Sequence, residues 1–162
     1  MDALERLIAI EDIRALVARR VRCLDEKDWA GFGDCYADDG ISYSFQDAEG
    51  KEAGVVGGSA IARRIGTSLE GVTTVHQIHL PEIEVLSSDR ATAIVPLMDF
   101  LFWEKDGEQH WLRGFGHYRQ SFSKIDGRWR IAEHRLTRLK VESGAGDEAT
   151  LRKRSLAAAD KA

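Results

Sequence analysis

Cysteine is scarce in this chain: Cys23 and Cys35 are the full complement in 162 residues. Nor is there an apolar run near the roughly 20 residues that cross a bilayer, so no membrane is expected as a partner. Positive charge is not in excess. Lys and Arg number 23 against 27 Asp and Glu, a net charge of -4, so nothing points to nucleic acid or an anionic surface. There is no internal repeat and no low-complexity tract. The first residues, MDALERLIAIEDIR, are too charged throughout for a secretory signal. A cytoplasmic location is therefore expected, with both cysteines as thiols rather than a disulfide. What remains is an ordinary globular composition, 43% hydrophobic and 31% charged, long enough for one domain with a sizeable core. That domain is expected over residues 1–143, with 144–162 as a flexible tail or short helix.

Leu4, Leu7, Ile8, Ile13, Leu16, Val17, Val21 and Leu24 recur every three or four residues, which predicts an amphipathic helix from about 3 to 26. Val17, Val21 and Asp25 fall on one face of it. The acidic continuation through Glu26 and Asp28 equally allows Asp25 to be a solvated helix end. Arg20 lies near the apolar stripe, where it is a candidate substrate contact and is equally able to snorkel to solvent. A short helix is predicted from Trp29 to Tyr36, a turn over Ala37–Gly40, and a strand over Ile41–Phe45 with Ile41, Tyr43 and Phe45 on one face. Gln46 to Gly57 reads as a loop. Gly58-Ser59 then caps a helix over Ala60–Ser68 that turns Ile61 and Ile65 inward.

From Thr73 to Trp103 the pattern predicts two long strands joined at Ser87–Arg90. His76, Ile78 and Leu80 share one face of the first, but after Pro81 the apolar positions Ile83 and Val85 have the opposite parity. Such a phase change at a proline predicts a bulge or bend, and bends curve a sheet around a hollow. In the second strand Asp99 stands between Leu97-Met98 and Phe100-Leu101-Phe102-Trp103. A carboxylate in an apolar strand is costly unless paired, which makes such positions candidates for chemistry. Asp-Gly turns at Asp106-Gly107 and Asp126-Gly127 predict two further strands, 109–123 and 128–141, completing an antiparallel meander. Gly114 and Gly116 allow coiling or close backbone approach, and Gly144-Ala145-Gly146 reads as a flexible joint.

The segments IEDIRALVARRVRCLDEKDW, ISYSF, VHQIHLPEIEVLSSDRATA and IDGRWRIAEHRLTRL, in that order, resemble the SnoaL-like branch of the nuclear transport factor 2-like superfamily, to about Val141. The resemblance implies an α+β fold: a cone-shaped barrel of a strongly bent, mainly antiparallel sheet wrapped on N-terminal helices. Within the branch the chain is similar to bile-acid 7α-dehydratases, and more distantly to scytalone dehydratases and hexachlorocyclohexane dehydrochlorinases. The catalytic histidine and aspartate of the bile-acid dehydratases match His76 and Asp99. Their active-site arginine matches Arg138, and a pocket tyrosine matches Tyr43. In the dehydrochlorinases the histidine base is held by an aspartate at the end of the first helix, which falls on Asp25. Two departures stand out. A tyrosine on the dehydratase first helix is Arg20 here, and the late arginine of the dehydrochlorinases is His134. The resemblance also implies a homo-oligomer, dimer or trimer, with the outer sheet face between subunits. Both faces of Ala91–Trp103 are apolar, in keeping with that.

A neutral imidazole is the side chain best matched to proton abstraction near pH 7, and a carboxylate on its second nitrogen fixes the tautomer. Asp25 is the candidate for that role. Asp99 is a second carboxylate that orients His76 or moves a proton, while Tyr43 and Arg138 donate to a developing oxyanion. The expected function is a cofactor-independent lyase that removes a proton and eliminates water. Retro-aldol loss of formaldehyde and double-bond isomerisation begin with the same base. A non-catalytic binding cup or oligomerisation module is the alternative of a different class. The aromatics, Phe100 and Tyr118 among them, suit a hydrophobic aromatic or polycyclic substrate and equally suit any core. His117, beside Gly116, is the next histidine after His76 to be considered for substrate contact. His76 and His79 face opposite sides of a strand and lack a third ligand, so no metal is expected. Neither cysteine stands in a nucleophile setting.

Overall fold

The computed structural model describes residues 1–46 and 52–146. Helix α1 runs Ala3–Glu26, as its spacing predicts. Asp2 and Glu5 close its N-terminus reciprocally, each carboxylate accepting the other's backbone N–H at 2.8 Å. Ile13, Leu16, Val17, Val21 and Leu24 are buried on one stripe. Leu4, Leu7 and Ile8 continue the sequence pattern but are more than half exposed. Arg6 binds the Val85 carbonyl at this end, and the four-residue strand there is too short to cover them. The next helix, α2, is limited to Trp29–Gly33, because Tyr36 already begins a strand.

Strand β1 is Tyr36–Gln46. The expected turn at Ala37–Gly40 is therefore corrected: those residues form a bulge within β1. Against the last strand, Tyr36 pairs with Ile131 and Ile41 with Glu133, so five steps on one chain meet two on the other. Gly40 fits because a Cβ there would lie 2.7 Å from the Ile131 carbonyl oxygen. The loop expected up to Gly57 also contains a strand, β2 (Glu52–Val56), paired antiparallel with β1 at the sheet edge. Edge strands tolerate polar residues, which is why its alternation was weak. Helix α3 is Gly58–Ser68; its N-cap is Gly57, with no side-chain cap, so Ser59 sits inside the helix rather than capping it. Ile61 is fully buried and Ile65 packs against the core.

The first long strand expected from Thr73 divides into β3 (Thr73–Ile78) and β4 (Glu82–Val85). Both pair antiparallel with β5 (Arg90–Lys105). Ile78 faces Leu97 and Glu82 faces Ile94, so the three residues 79–81 oppose two. That is the bulge the parity change at Pro81 predicts. Leu80 belongs to it and is 81% exposed, not on the inner face with His76. Strands β6 (Glu108–Ile125) and β7 (Arg128–Ala145) complete the meander. Asp106, Gly107, Asp126 and Gly127 all have positive φ, as two-residue hairpin turns of this kind require. Gly144 and Ala145 are still paired with Trp111 and His110, so the expected joint begins only at Gly146. The tail assigned to 147–162 lies outside the described residues.

The sheet order is β2-β1-β7-β6-β5-β3, with β4 also on β5; β1–β7 is parallel and every other pairing antiparallel. The helices pack against its inner face. Among the described residues no helix is long and apolar enough to cross a membrane.

Candidate active site

Among the described residues β3 is an edge strand, and one side of its backbone has no neighbouring strand. The end of α1 fills that side. The Asp25 carboxylate accepts the backbone N–H of His76 at 2.8 Å through Oδ2, and stands 2.6 Å from the ring Nδ1 through Oδ1. The Thr74 hydroxyl, two residues back on the same face, donates to Oδ1 at 2.9 Å and itself accepts Lys27 Nζ at 2.9 Å. A carboxylate near a helix C-terminus opposes the helix dipole, and the last turn of α1 holds no basic residue. The three hydrogen bonds from His76 and Thr74 explain its placement. Burial tends to raise the Asp25 pKa, but the bonds from the His76 ring, the His76 backbone and Thr74 outweigh it and hold the carboxyl below its ordinary value.

Asp25 is ionised and accepts only, so the proton between it and His76 belongs to Nδ1. The lone pair of the neutral ring is then on Nε2, which faces a cavity of about 210 Å³. The His76 side chain is 7% exposed. Because its N–H is given to Asp25, the directly opposed pair His76–Asp99 is a non-hydrogen-bonded pair of the ladder, the kind in which side chains stand closest. Nε2 lies 3.9 Å from Asp99 Oδ2.

Asp99 is 2% exposed and held by Arg138 in a two-pronged pair, Nη1–Oδ1 and Nη2–Oδ2 both 2.8 Å. Arg138 is in register with Gly116, and reaches Asp99 across the vacant position of Gly114, the residue opposite Asp99. A Cβ at 114 would be 2.1 Å from Arg138 Nη1 and 2.2 Å from Asp99 Oδ1. Asp99 is thus a buried carboxyl group held in place by Arg138 beside the imidazole.

Arg20 does not snorkel. It is 2% exposed, with Nε donating to the Tyr36 hydroxyl at 2.9 Å and Nη2 at 3.0 Å from His134 Nε2. Its guanidinium lies over the rings of Phe32, Tyr36 and Tyr118 at 5.1, 5.8 and 4.8 Å. Burial works to lower its pKa, but the Tyr36 and Tyr118 oxygens raise it by more, and it stays charged. The same burial raises both tyrosine pKa values, against the pull of Arg20. Burial and the Arg20 charge push His134 well below 6.5, so this imidazole is neutral. Its Nε2 must accept from Arg20, so the proton is on Nδ1, 3.1 Å from the Gln120 amide. The amide nitrogen stands there and Gln120 Oε1 has no partner; turning the amide over gives Nδ1–H its acceptor and satisfies that oxygen.

Arg20, His76, Asp99, Tyr118, His134 and Arg138 line this cavity together. A larger hollow of about 920 Å³, lined by Trp29, Arg63 and Arg128 among others, is a surface cleft at the α2–α3 end and contains none of these groups.

The profile of the SnoaL-like domain matches residues 5–135. The chain belongs to the SnoaL-like family. Searched by sequence, the curated proteins offer no significant match. Among solved structures, this SnoaL-like domain is similar to a candidate scytalone dehydratase from Novosphingobium aromaticivorans (TM-score 0.74, 16% identity, 87% of this chain and 91% of that one). It is also similar to a hexachlorocyclohexane dehydrochlorinase from Novosphingobium barchaimii (TM-score 0.76, 15% identity, 90% and 97%). A third neighbour is a nuclear transport factor 2-like protein from Novosphingobium aromaticivorans (TM-score 0.66, 23% identity, 89% and 88%). At these identities the likeness establishes the fold, the expected α+β arrangement with a bent, mainly antiparallel sheet.

Three residues expected in the site of this SnoaL-like domain stand elsewhere. Tyr43 alternates with Ser42, which is buried, and Ser44, which lines the cavity, so its ring lies on the outer face, 4.4 Å under the Arg135 guanidinium. Phe100 alternates with Asp99 and Leu101 and stacks on Phe102 outside. His117 alternates with Gly116 and Tyr118 and points outward likewise. One rule corrects all three: on a strand, neighbours of an inward residue face out. Conversely, His134, where the dehydrochlorinases carry an arginine, is a buried and hydrogen-bonded part of the site. It shares parity with Leu136 and Arg138 on β7 and lines the cavity, and that parity was the available signal.

Proposed function

We propose that this chain is a cofactor-independent lyase of the dehydratase type. The observation that carries the proposal is the Asp25–His76 contact of 2.6 Å, which leaves an unprotonated Nε2 facing a cavity shared with a second carboxylate. His76 takes a proton from carbon through Nε2. Asp25 and the nearby Asp99 favour the imidazolium that results, and that imidazolium returns its proton to the departing oxygen, so water leaves. The family and the dehydratase and dehydrochlorinase folds around it support a lyase; which bond breaks is the finer part of the proposal. Arg138 keeps Asp99 in place. A general base of this kind contributes on the order of 10²–10⁴ in rate.

The test is a screen of hydroxylated carbonyl and aromatic compounds for release of water, with formaldehyde assayed in parallel, and His76→Gln as control. Turnover that falls at least about 100-fold in His76→Gln with ligand affinity kept supports the lyase. Affinity without turnover in either protein supports a binding cup instead. Formaldehyde release would assign the retro-aldol reaction to the same base.

A further inference from the structure

The charges of the cavity do not balance group by group. Asp25 is committed to His76, and Asp99 is committed to Arg138. Arg20 is left. Among the described residues it bonds to Tyr36 and His134 and stands against the Tyr118 oxygen, all three neutral, and its buried Nη1 makes no hydrogen bond. An unpaired donor on a buried cation is costly, and a ligand, ion or ordered water that completes it offsets that cost. The cavity that Arg20 lines, about 210 Å³, is little larger than the roughly 150 Å³ that accepts a benzene molecule. One six-membered ring with a few substituents fits that volume, which favours a monocyclic member of the substrate class expected from the sequence.

We infer that Arg20 is the oxyanion-stabilising group of this site and that its ligand is a monocyclic carbonyl compound whose oxygen becomes an enolate or phenolate against the guanidinium. The inference rests on His76 being the base. His76 Nε2 takes the proton from the carbon next to the carbonyl, and the C–H electron pair forms a carbon–carbon double bond. The carbonyl π pair moves to the oxygen, where Arg20 holds the negative charge. When the carbonyl re-forms, the electrons expel the oxygen on the next carbon, which takes the proton from the His76 imidazolium and leaves as water. His76 is neutral again, and no other reagent is consumed. His134, neutral and bound to Nη2, positions the guanidinium without adding charge.

The probe is 4-nitrophenol, whose phenol and phenolate forms absorb differently, with 4-nitrotoluene as a neutral match in shape. The protein is His76→Gln, so that the imidazole cannot take the phenol's proton. At a pH about one unit below the phenol's own pKa, where the free probe is about one-tenth phenolate, the bound probe is expected to be at least about half phenolate, its pKa lowered by at least about one unit, a tenfold change. Adding Arg20→Gln should return it to neutral phenol and cost about tenfold or more in phenolate affinity, with 4-nitrotoluene unaffected. Arg20→Lys, which keeps the charge, should retain part of the shift, and circular dichroism reports whether each variant folds. If neither Arg20 variant folds, the comparison in His76→Gln decides: preference for the phenolate over 4-nitrotoluene supports the inference, equal affinity overturns it. An unshifted bound phenol, an equal shift with and without Arg20, or no binding of the phenol also overturns it. A protein that binds phenolate through Arg20 but turns over nothing would remove the lyase reading alone.

Discussion

Replacing Gly114 by Ala tests how the inner carboxylate is held. The added methyl would stand 2.1 Å from Arg138 Nη1 and 2.2 Å from Asp99 Oδ1, distances no carbon sustains. Backbone cannot yield easily, because Gly114 is paired on both sides, with Asp99 and with Val141. The guanidinium is the part able to move: its side chain is 30% exposed, whereas that of Asp99 is 3% exposed. Arg138 then swings toward water and Asp99 is left buried and unpaired. Breaking a buried pair by loss of one partner costs about 3–5 kcal/mol, and the partly solvated Arg138 places this case near about 3 kcal/mol. For a domain of this size 1 kcal/mol is worth about 2–4 °C, so thermal unfolding by calorimetry should move down by about 6–12 °C. In the double variant Gly114→Ala, Asp99→Ala most of that loss should vanish, since the methyl then has no ion pair to break. A fall of less than about 2 °C, or full additivity of the two substitutions, refutes the reasoning.

Once a substrate is in hand, Asp25→Asn should lower kcat by at least about tenfold with KM nearly unchanged, because an amide is able to offer Nδ1 its N–H and turn the lone pair away from the cavity. An unaltered kcat counts against the dyad. His134 is neutral in the fold with its pKa far below 6.5. Stability from it is therefore complete above about pH 6.5 and is lost as pH falls, because the unfolded chain takes up the proton first. Tm should decline below that pH by up to about 3–6 °C per unit, and His134→Gln should flatten the slope. Asp25, held below its ordinary value, adds a second decline that begins only near pH 4. The half-buried outer sheet face, with Phe100 stacked on Phe102, leads us to expect a homo-oligomer. Light scattering after size exclusion should give a dimer or trimer, and a monomer counts against it.

Much of the architecture was legible because it rests on local pattern. The 3.6-residue repeat marked α1, the Asp-Gly pairs marked two hairpins, and the parity change at Pro81 marked the bulge that bends the sheet. What failed was context. Asp38-Asp39-Gly40 carries turn chemistry, yet the neighbouring β7 keeps it in the sheet as a bulge. Glu52–Val56 is a strand because β1 offers it an edge, not because its own alternation is strong. Within the site, His76 and Asp99 were visible as polar groups in apolar strands, and the family likeness supplied Asp25. Tyr43, Phe100 and His117 were misplaced by one step of alternation each. Arg20 is legible as a candidate substrate contact and does line the cavity, but its pairing with His134 is not: a charged and a neutral partner that bury each other are far apart in sequence, and neither alone signals the pair.

The central claim is that His76 carries its proton on Nδ1 toward Asp25 and keeps Nε2 free for the cavity. Nitrogen-15 NMR of the imidazole, at a pH where the ring is neutral, reads this directly and needs no substrate. A protonated Nδ1 in strong hydrogen bond and an unprotonated Nε2 are expected, with the pattern lost in Asp25→Asn. A neutral ring with its proton on Nε2 would contradict it.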